Sequence, residues 1–110
     1  MGKANYAQTI TIPTTERDDT FSGQAFTLTV NDSLVDLTGA TITLTLAGGH
    51  GSLTTTDSGG ITITDAAAGA FEIDEQVINF SARTHSVELK FVLADGSIKT
   101  YGEGTWEITN

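Results

Sequence analysis

Hydrophobic side chains recur at every second position through most of this chain. Ile10 and Ile12 alternate with threonines, and Phe26, Leu28 and Val30 alternate with Thr27 and Thr29. Ile42, Leu44 and Leu46 then alternate with Thr41, Thr43 and Thr45. Ile61 and Ile63, Phe71 and Ile73, the run Val87, Leu89, Phe91 and Leu93, and finally Trp106 and Ile108 keep the same period. A period of two is the pattern of a strand with one face buried and the other in water. Pro13 ends or edges the first strand, because it has no N–H to give to a ladder.

Turn chemistry falls between these runs. Asn31-Asp32-Ser33, Leu37-Thr38-Gly39, Gly48 to Gly51, Ser58-Gly59-Gly60 and Asp65 to Gly69 each break the alternation. In the second of these, Asp36 is placed to accept backbone hydrogen bonds, Gly39 to take a positive φ, and Leu37 to tuck under the turn into the core. Asp95-Gly96 predicts a two-residue type I′ hairpin turn. That turn pairs Leu93 with Ile98 on one face and sends Tyr101 to the other. Gly102 and Gly104 predict a bulge or a close backbone approach. Residues 74–85 are the least regular part, with a helical turn or a crossover between sheets expected there. The sum is an all-β domain of about seven to nine antiparallel strands, arranged as a sandwich or barrel over residues 1–110. Residues 1–5 are expected to be disordered or tag-like.

Composition changes this picture mainly by exclusion. There is no Cys, so neither a disulfide framework nor a thiolate zinc site is available. No run of apolar residues is long enough to span a bilayer, and the N-terminus lacks the apolar core of a signal peptide. Net charge is −9, from 14 acidic and 5 basic residues. Five scattered cations cannot form the stripe that displaces counterions from nucleic acid, and an anionic membrane surface repels such a chain. Threonine makes up about a fifth of the residues, which suits solvated sheet faces.

Candidate chemistry is sparse. His50 lies in a glycine turn and His85 starts a strand; both read as solvent-exposed, with no acid or serine spaced to form a triad. Asp18, Asp19, Asp57, Asp65, Asp74 and Glu75 read as turn residues and solvated charge rather than as calcium ligands, since none follows the spaced loop pattern that calcium-binding hands use. Gly48-Gly49-His50-Gly51 is followed by strand-like residues instead of the helix start a phosphate cradle needs. Phe21, Phe80 and Tyr101, with Asp57, are the candidate interaction residues, because exposed aromatics on a β-domain bind sugars or partner proteins. Trp106 belongs to the core by phase with Ile108. No catalytic residue, cofactor or metal is expected.

The order of the pieces resembles a known family. Asp18-Asp19-Thr20 precedes a Phe-containing strand, followed by Val35-Asp36-Leu37-Thr38-Gly39-Ala40-Thr41-Ile42. Gly60-Ile61-Thr62-Ile63 leads to Ala68-Gly69-Ala70-Phe71-Glu72-Ile73, and Asp95-Gly96, Thr100 and Thr105-Trp106-Glu107-Ile108 close the chain. The chain is similar here to the immunoglobulin-like N-terminal domain of upper baseplate proteins of tailed bacteriophages. The resemblance implies an immunoglobulin-like β-sandwich and a non-enzymatic structural module of a phage tail, baseplate or fibre-attachment apparatus, located in the virion tail after assembly in the host cytoplasm. It also implies partners among other virion proteins or second copies of the chain. A carbohydrate- or host-surface-binding module is the alternative.

Overall fold

The computed structural model describes residues 8–30, 33–56 and 59–110. The residues expected to be tag-like, the Asn31-Asp32 turn, Asp57 and Ser58 lie outside the described residues. The described chain is all-β, with a single 3-10 turn at Ala66–Ala68. Its strands are β1 (Gln8–Thr11), β2 (Thr15–Glu16), β3 (Thr20–Phe21), β4 (Gln24–Thr27), β5 (Thr29–Val30), β6 (Ser33–Leu34) and β7 (Thr41–Leu46). They continue with β8 (Gly51–Thr54), β9 (Ile61–Asp65), β10 (Ala70–Ile73), β11 (Gln76–Val77), β12 (Arg83–Val92) and β13 (Ile98–Thr109). Five of these are two-residue pieces; the other eight carry the architecture.

The larger sheet runs β1-β13-β12-β7-β8, with β2 also on β13, and a three-stranded sheet runs β4-β10-β9. Pairing is antiparallel except that β1 and β2 lie parallel to β13. The expected purely antiparallel arrangement is corrected there. Most of the chain separates β1 from β13, so no tight hairpin constrains their direction. Residues 74–85, expected to hold a helical turn or a crossover between sheets, carry the chain from β10 in the three-stranded sheet to β12 in the larger one, by way of β11 and without a helical turn.

Alternation places the core as the sequence implies. Ile42, Leu44, Leu46, Ile73, Phe91 and Trp106 are fully buried, and Leu37 is sealed beneath its turn. The two sheets meet through rings: Phe71 on β10 sits edge-on to Phe91 on β12 at 5.7 Å, and Phe91 in turn meets Tyr101 at 5.2 Å. Trp106 is packed between Phe21, at 5.4 Å, and Phe80, at 6.0 Å. Its indole N–H donates to the Thr15 hydroxyl at 3.0 Å, and that hydroxyl donates to the Pro13 carbonyl at 3.0 Å. Both polar groups are satisfied inside the core, which such burial requires.

The last hairpin differs from the expected one. Gly96 donates to Leu93 O at 2.8 Å and Leu93 donates to Ser97 O at 2.9 Å, so Ala94-Asp95-Gly96 is a three-residue loop with Gly96 at φ +88°. Such loops pair a turn with a left-handed glycine bulge. The extra residue moves the register by one: Ile98 pairs with Val92, and both face water. A second irregularity follows, where Lys90 pairs with Thr100 but Leu89 pairs with Gly102. Tyr101 is the residue left over: it lies in the core because the reversed facing of Ile98 sends it inward, and the bulge then restores the phase from Gly102 onward. The expectations that Ile98 lies inside and Tyr101 outside are therefore both reversed.

Two turns share one device. Asp36 Oδ1 accepts from Thr38 N at 2.9 Å and Thr38 Oγ1 at 2.6 Å; Asp95 Oδ1 accepts from Ser97 N at 2.9 Å and Ser97 Oγ at 2.6 Å. The turns lie side by side, since a Cβ on Gly39 would fall 3.1 Å from Ala94 Cβ. The side-chain hydroxyl bond first, then the backbone bond, holds each carboxyl below the ordinary aspartate value. A depressed folded value stabilises the fold above the unfolded value and is lost as pH falls through the folded one. An Asp36→Asn/Asp95→Asn variant is therefore expected to melt below the wild type at neutral pH. That gap should close as pH drops below about 4, read by thermal denaturation between pH 7 and pH 2.

Candidate interaction surface

The structure moves most of the sequence-nominated interaction residues inward. Phe21 is buried against Trp106, Tyr101 is buried beside Phe91, and Phe80 is half-buried over Trp106. Their expected exposure is corrected, because each ring fills space beneath an irregular segment or at a bulge. Asp57 lies outside the described residues. Asp36, Leu37, Gly39, Asp95, Gly96 and Trp106 serve the turns and the core.

Both histidines were expected in solvent, and the structure brings them together instead. His85 is buried and its Nε2 lies 2.7 Å from Ser81 O, so Nε2 carries the proton and donates. Its Nδ1 is buried without a partner among the described residues. The half-buried His50 ring stands edge-on to His85 at 5.0 Å. His50 Nε2 accepts from the Arg83 guanidinium at 3.3 Å, which leaves Nδ1–H to donate to Ser81 Oγ at 3.2 Å. Both nitrogens of His50 are thus engaged. The cluster ties the turn before β8 to the start of β12, and none of these contacts is to a carboxylate that could orient either ring as a base.

The outer face of the larger sheet is presented to solvent, as are Leu34 and Val77 outside it. Residues 84, 86, 88, 90 and 92 of β12 point outward by alternation, flanked by Thr41, Thr43 and Thr45 of β7. Register sorts this face into rows. Ile98, Val92 and Thr41 form one end; Thr100, Lys90, Thr43 and Thr54 form the next row. Glu103, Glu88, Thr45 and Ser52 follow, then Thr105 with Ser86, then Glu107 with Thr84. Ile98 is 65% exposed and Val92 41% exposed, an uncovered apolar pair. Glu88 stands directly across from Glu103, an arrangement that destabilises a sheet by a few tenths of a kcal/mol, roughly; Lys90 offsets part of it from 3.7 Å. An open hollow of about 380 Å³ lies over this region, lined by Thr45, Ala47, Ser86, Glu88 and Glu103 among others.

The sequence reading missed Val92, Ile98 and the Glu88–Glu103 pair as surface features. The signal was present in Ala94-Asp95-Gly96-Ser97, where a three-residue reading of the loop reverses the facing of everything between Ile98 and the bulge. No known family model, curated protein or solved structure matches the chain.

Proposed function

We propose that this chain is a non-enzymatic assembly module of a bacteriophage tail, baseplate or fibre-attachment apparatus, with an immunoglobulin-like fold. The strand order supports the fold: β13, β12, β7 and β8 correspond to the G, F, C and C′ strands, β1 and β2 to a first strand lying on G, and β4, β10 and β9 to B, E and D. The Asp36 to Ala40 turn, which carried the family resemblance, sits where the B strand crosses to C.

The observation that carries the functional reading is the solvent-facing Val92–Ile98 pair on a hydroxyl-rich sheet face. Exposed apolar groups rimmed by polar ones characterise protein-binding surfaces. The carbohydrate alternative relied on aromatic platforms, and among the described residues no aromatic ring is exposed.

Ile98→Asp is expected to leave the fold within about 0.5 kcal/mol of wild type, since the side chain is exposed. The same change should remove at least nine-tenths of the chain that co-sediments with tail particles. Sedimentation of tagged wild type and variant with purified tails checks this. A chain that never enters particles would overturn the reading.

A further inference from the structure

We propose that Asp95–Gly96 is a latent self-modification site, where the main chain rearranges to isoaspartate, and that the Ser97 side chain holds this site closed. The site lies outside the assembly reading above and stands without it. Asp95–Gly96 is the only Asp-Gly step in the chain, and there is no Asn-Gly step. A glycine after an aspartate leaves the intervening nitrogen unshielded, because no Cβ stands beside the path to the carboxyl carbon. Asp95 and Gly96 are both exposed, and a Cβ on Gly96 would meet nothing within 4 Å. Water therefore reaches both reacting groups.

The rearrangement needs no reagent but water. The Gly96 nitrogen attacks Asp95 Cγ, and a new N–C bond closes a five-membered succinimide. One carboxyl oxygen leaves as water, taking the proton that the nitrogen gives up. A second water then opens the ring. Where it breaks the bond between the nitrogen and the main-chain carbonyl carbon of Asp95, Gly96 stays joined through Cγ and the former main-chain carbonyl becomes a free carboxylate. One water is lost and one gained, and nothing is oxidised or reduced. The product has one more carbon in the main chain of the loop beside the Val92–Ile98 pair.

The loop's own geometry both creates the site and guards it. A three-residue hairpin loop calls for a left-handed residue, and Gly96 supplies it at φ +88°. Asp95 closes the loop by accepting from Ser97 N at 2.9 Å and Ser97 Oγ at 2.6 Å. The Gly96 N–H is committed to Leu93 O at 2.8 Å, and Leu93 N donates to Ser97 O at 2.9 Å. Nitrogen and carboxyl must both leave these bonds before they can meet. The Ser97 hydroxyl also favours the ionised carboxyl, from which an oxygen departs poorly. Asp36 supplies the internal comparison. It accepts the same two bonds from Thr38, but the next residue is Leu37, whose side chain is sealed in the core and whose N–H donates to Ala66 O at 2.8 Å. That turn has the guard without the reactive step.

The test ages the full chain at neutral pH as wild type, Ser97→Ala, Ser97→Thr and Thr38→Ala, beside the free peptide of residues 93–98. Isoaspartate is counted by enzymatic methylation with an isoaspartyl methyltransferase and located by peptide mapping, where the succinimide is lighter by one water. The free peptide is expected to react fastest. Ser97→Ala should form isoaspartate at Asp95 about five-fold faster than wild type or more, the factor that one hydrogen bond of ordinary net worth supplies. Ser97→Thr keeps the hydroxyl and should match wild type. Wild type reacting as fast as the peptide, or Ser97→Ala reacting no faster than wild type, overturns the proposal. So does Ser97→Thr behaving like Ser97→Ala, since the hydroxyl would then not be the guard. An equal rise at Asp95 in Thr38→Ala would trace the reaction to general loosening of the paired turns and overturn the role of Ser97. Isoaspartate at Asp36 in Thr38→Ala would overturn the role given to the glycine.

Discussion

Replacing Trp106 with alanine is expected to destabilise the fold by about 3–5 kcal/mol, the usual range for emptying a fully buried aromatic site. The indole is wholly inside, and it is the meeting point of Phe21 from β3, Phe80 from the segment before β12, and Thr15 from β2. Its loss leaves a cavity at the seam where these irregular pieces close over the larger sheet. It also removes the donor to Thr15 Oγ1, although that hydroxyl keeps its own bond to Pro13 O. Since total stability of such a domain is about 5–15 kcal/mol, and each kcal/mol lowers the melting temperature by about 4 °C or more at this size, a fall of roughly 12 °C or more follows. Trp106→Phe keeps ring packing but not the N–H, and should lose distinctly less. The comparison isolates the hydrogen bond, worth about 1 kcal/mol, from the cavity. Trp106 is the only tryptophan, so unfolding in urea is best followed by far-ultraviolet circular dichroism.

The legible part of this fold was whatever obeys strict alternation. Ile42, Leu44 and Leu46, or Val87, Leu89 and Phe91, each bury every second residue without interruption. The illegible part begins wherever one residue is inserted. The three-residue loop at Ala94 to Gly96 and the bulge at Tyr101 each shift side-chain parity by one, and the two shifts cancel by Gly102. Trp106 and Ile108 were therefore read correctly while Ile98 and Tyr101, between the two insertions, were read backwards. Period-two reasoning has no memory of an inserted residue unless the turn type is recognised. The candidate surface depended on that short interval, which explains why the fold class was readable and the exposed patch was not. His85 escaped for a different reason. Its burial depends on Ser81 and on the turn holding His50, contacts separated from it in sequence by 4 and 35 residues, the second of which no local pattern encodes.

Gly104→Ala is expected to detach β1 from the larger sheet. Gly104 pairs with Ile10 in the parallel ladder. A Cβ there would overlap the Ile10 carbonyl oxygen and lie 2.9 Å from Ile10 Cγ1. The obstacle is backbone, so no rotamer change relieves it. The strand must lift, and its four ladder positions and the packing of Ile10 and Ile12 against the core go with it. Overpacking of this kind costs about 1–3 kcal/mol, sometimes more, and here the strain is discharged locally because β1 is an edge strand. Gly102→Ala is the matched control. Its Cβ would meet only side-chain atoms, Ile10 Cγ2 and Leu89 Cδ1 at 3.1 Å and Leu89 Cβ at 3.3 Å, contacts that yield by a few tenths of an ångström. Hydrogen exchange should therefore show protection lost at residues 8–12 in Gly104→Ala but kept through β7 and β12, with Gly102→Ala close to wild type at both. Equal exchange in the two variants, or loss spread through β12, would mean that β1 is not held by close backbone approach at Gly104.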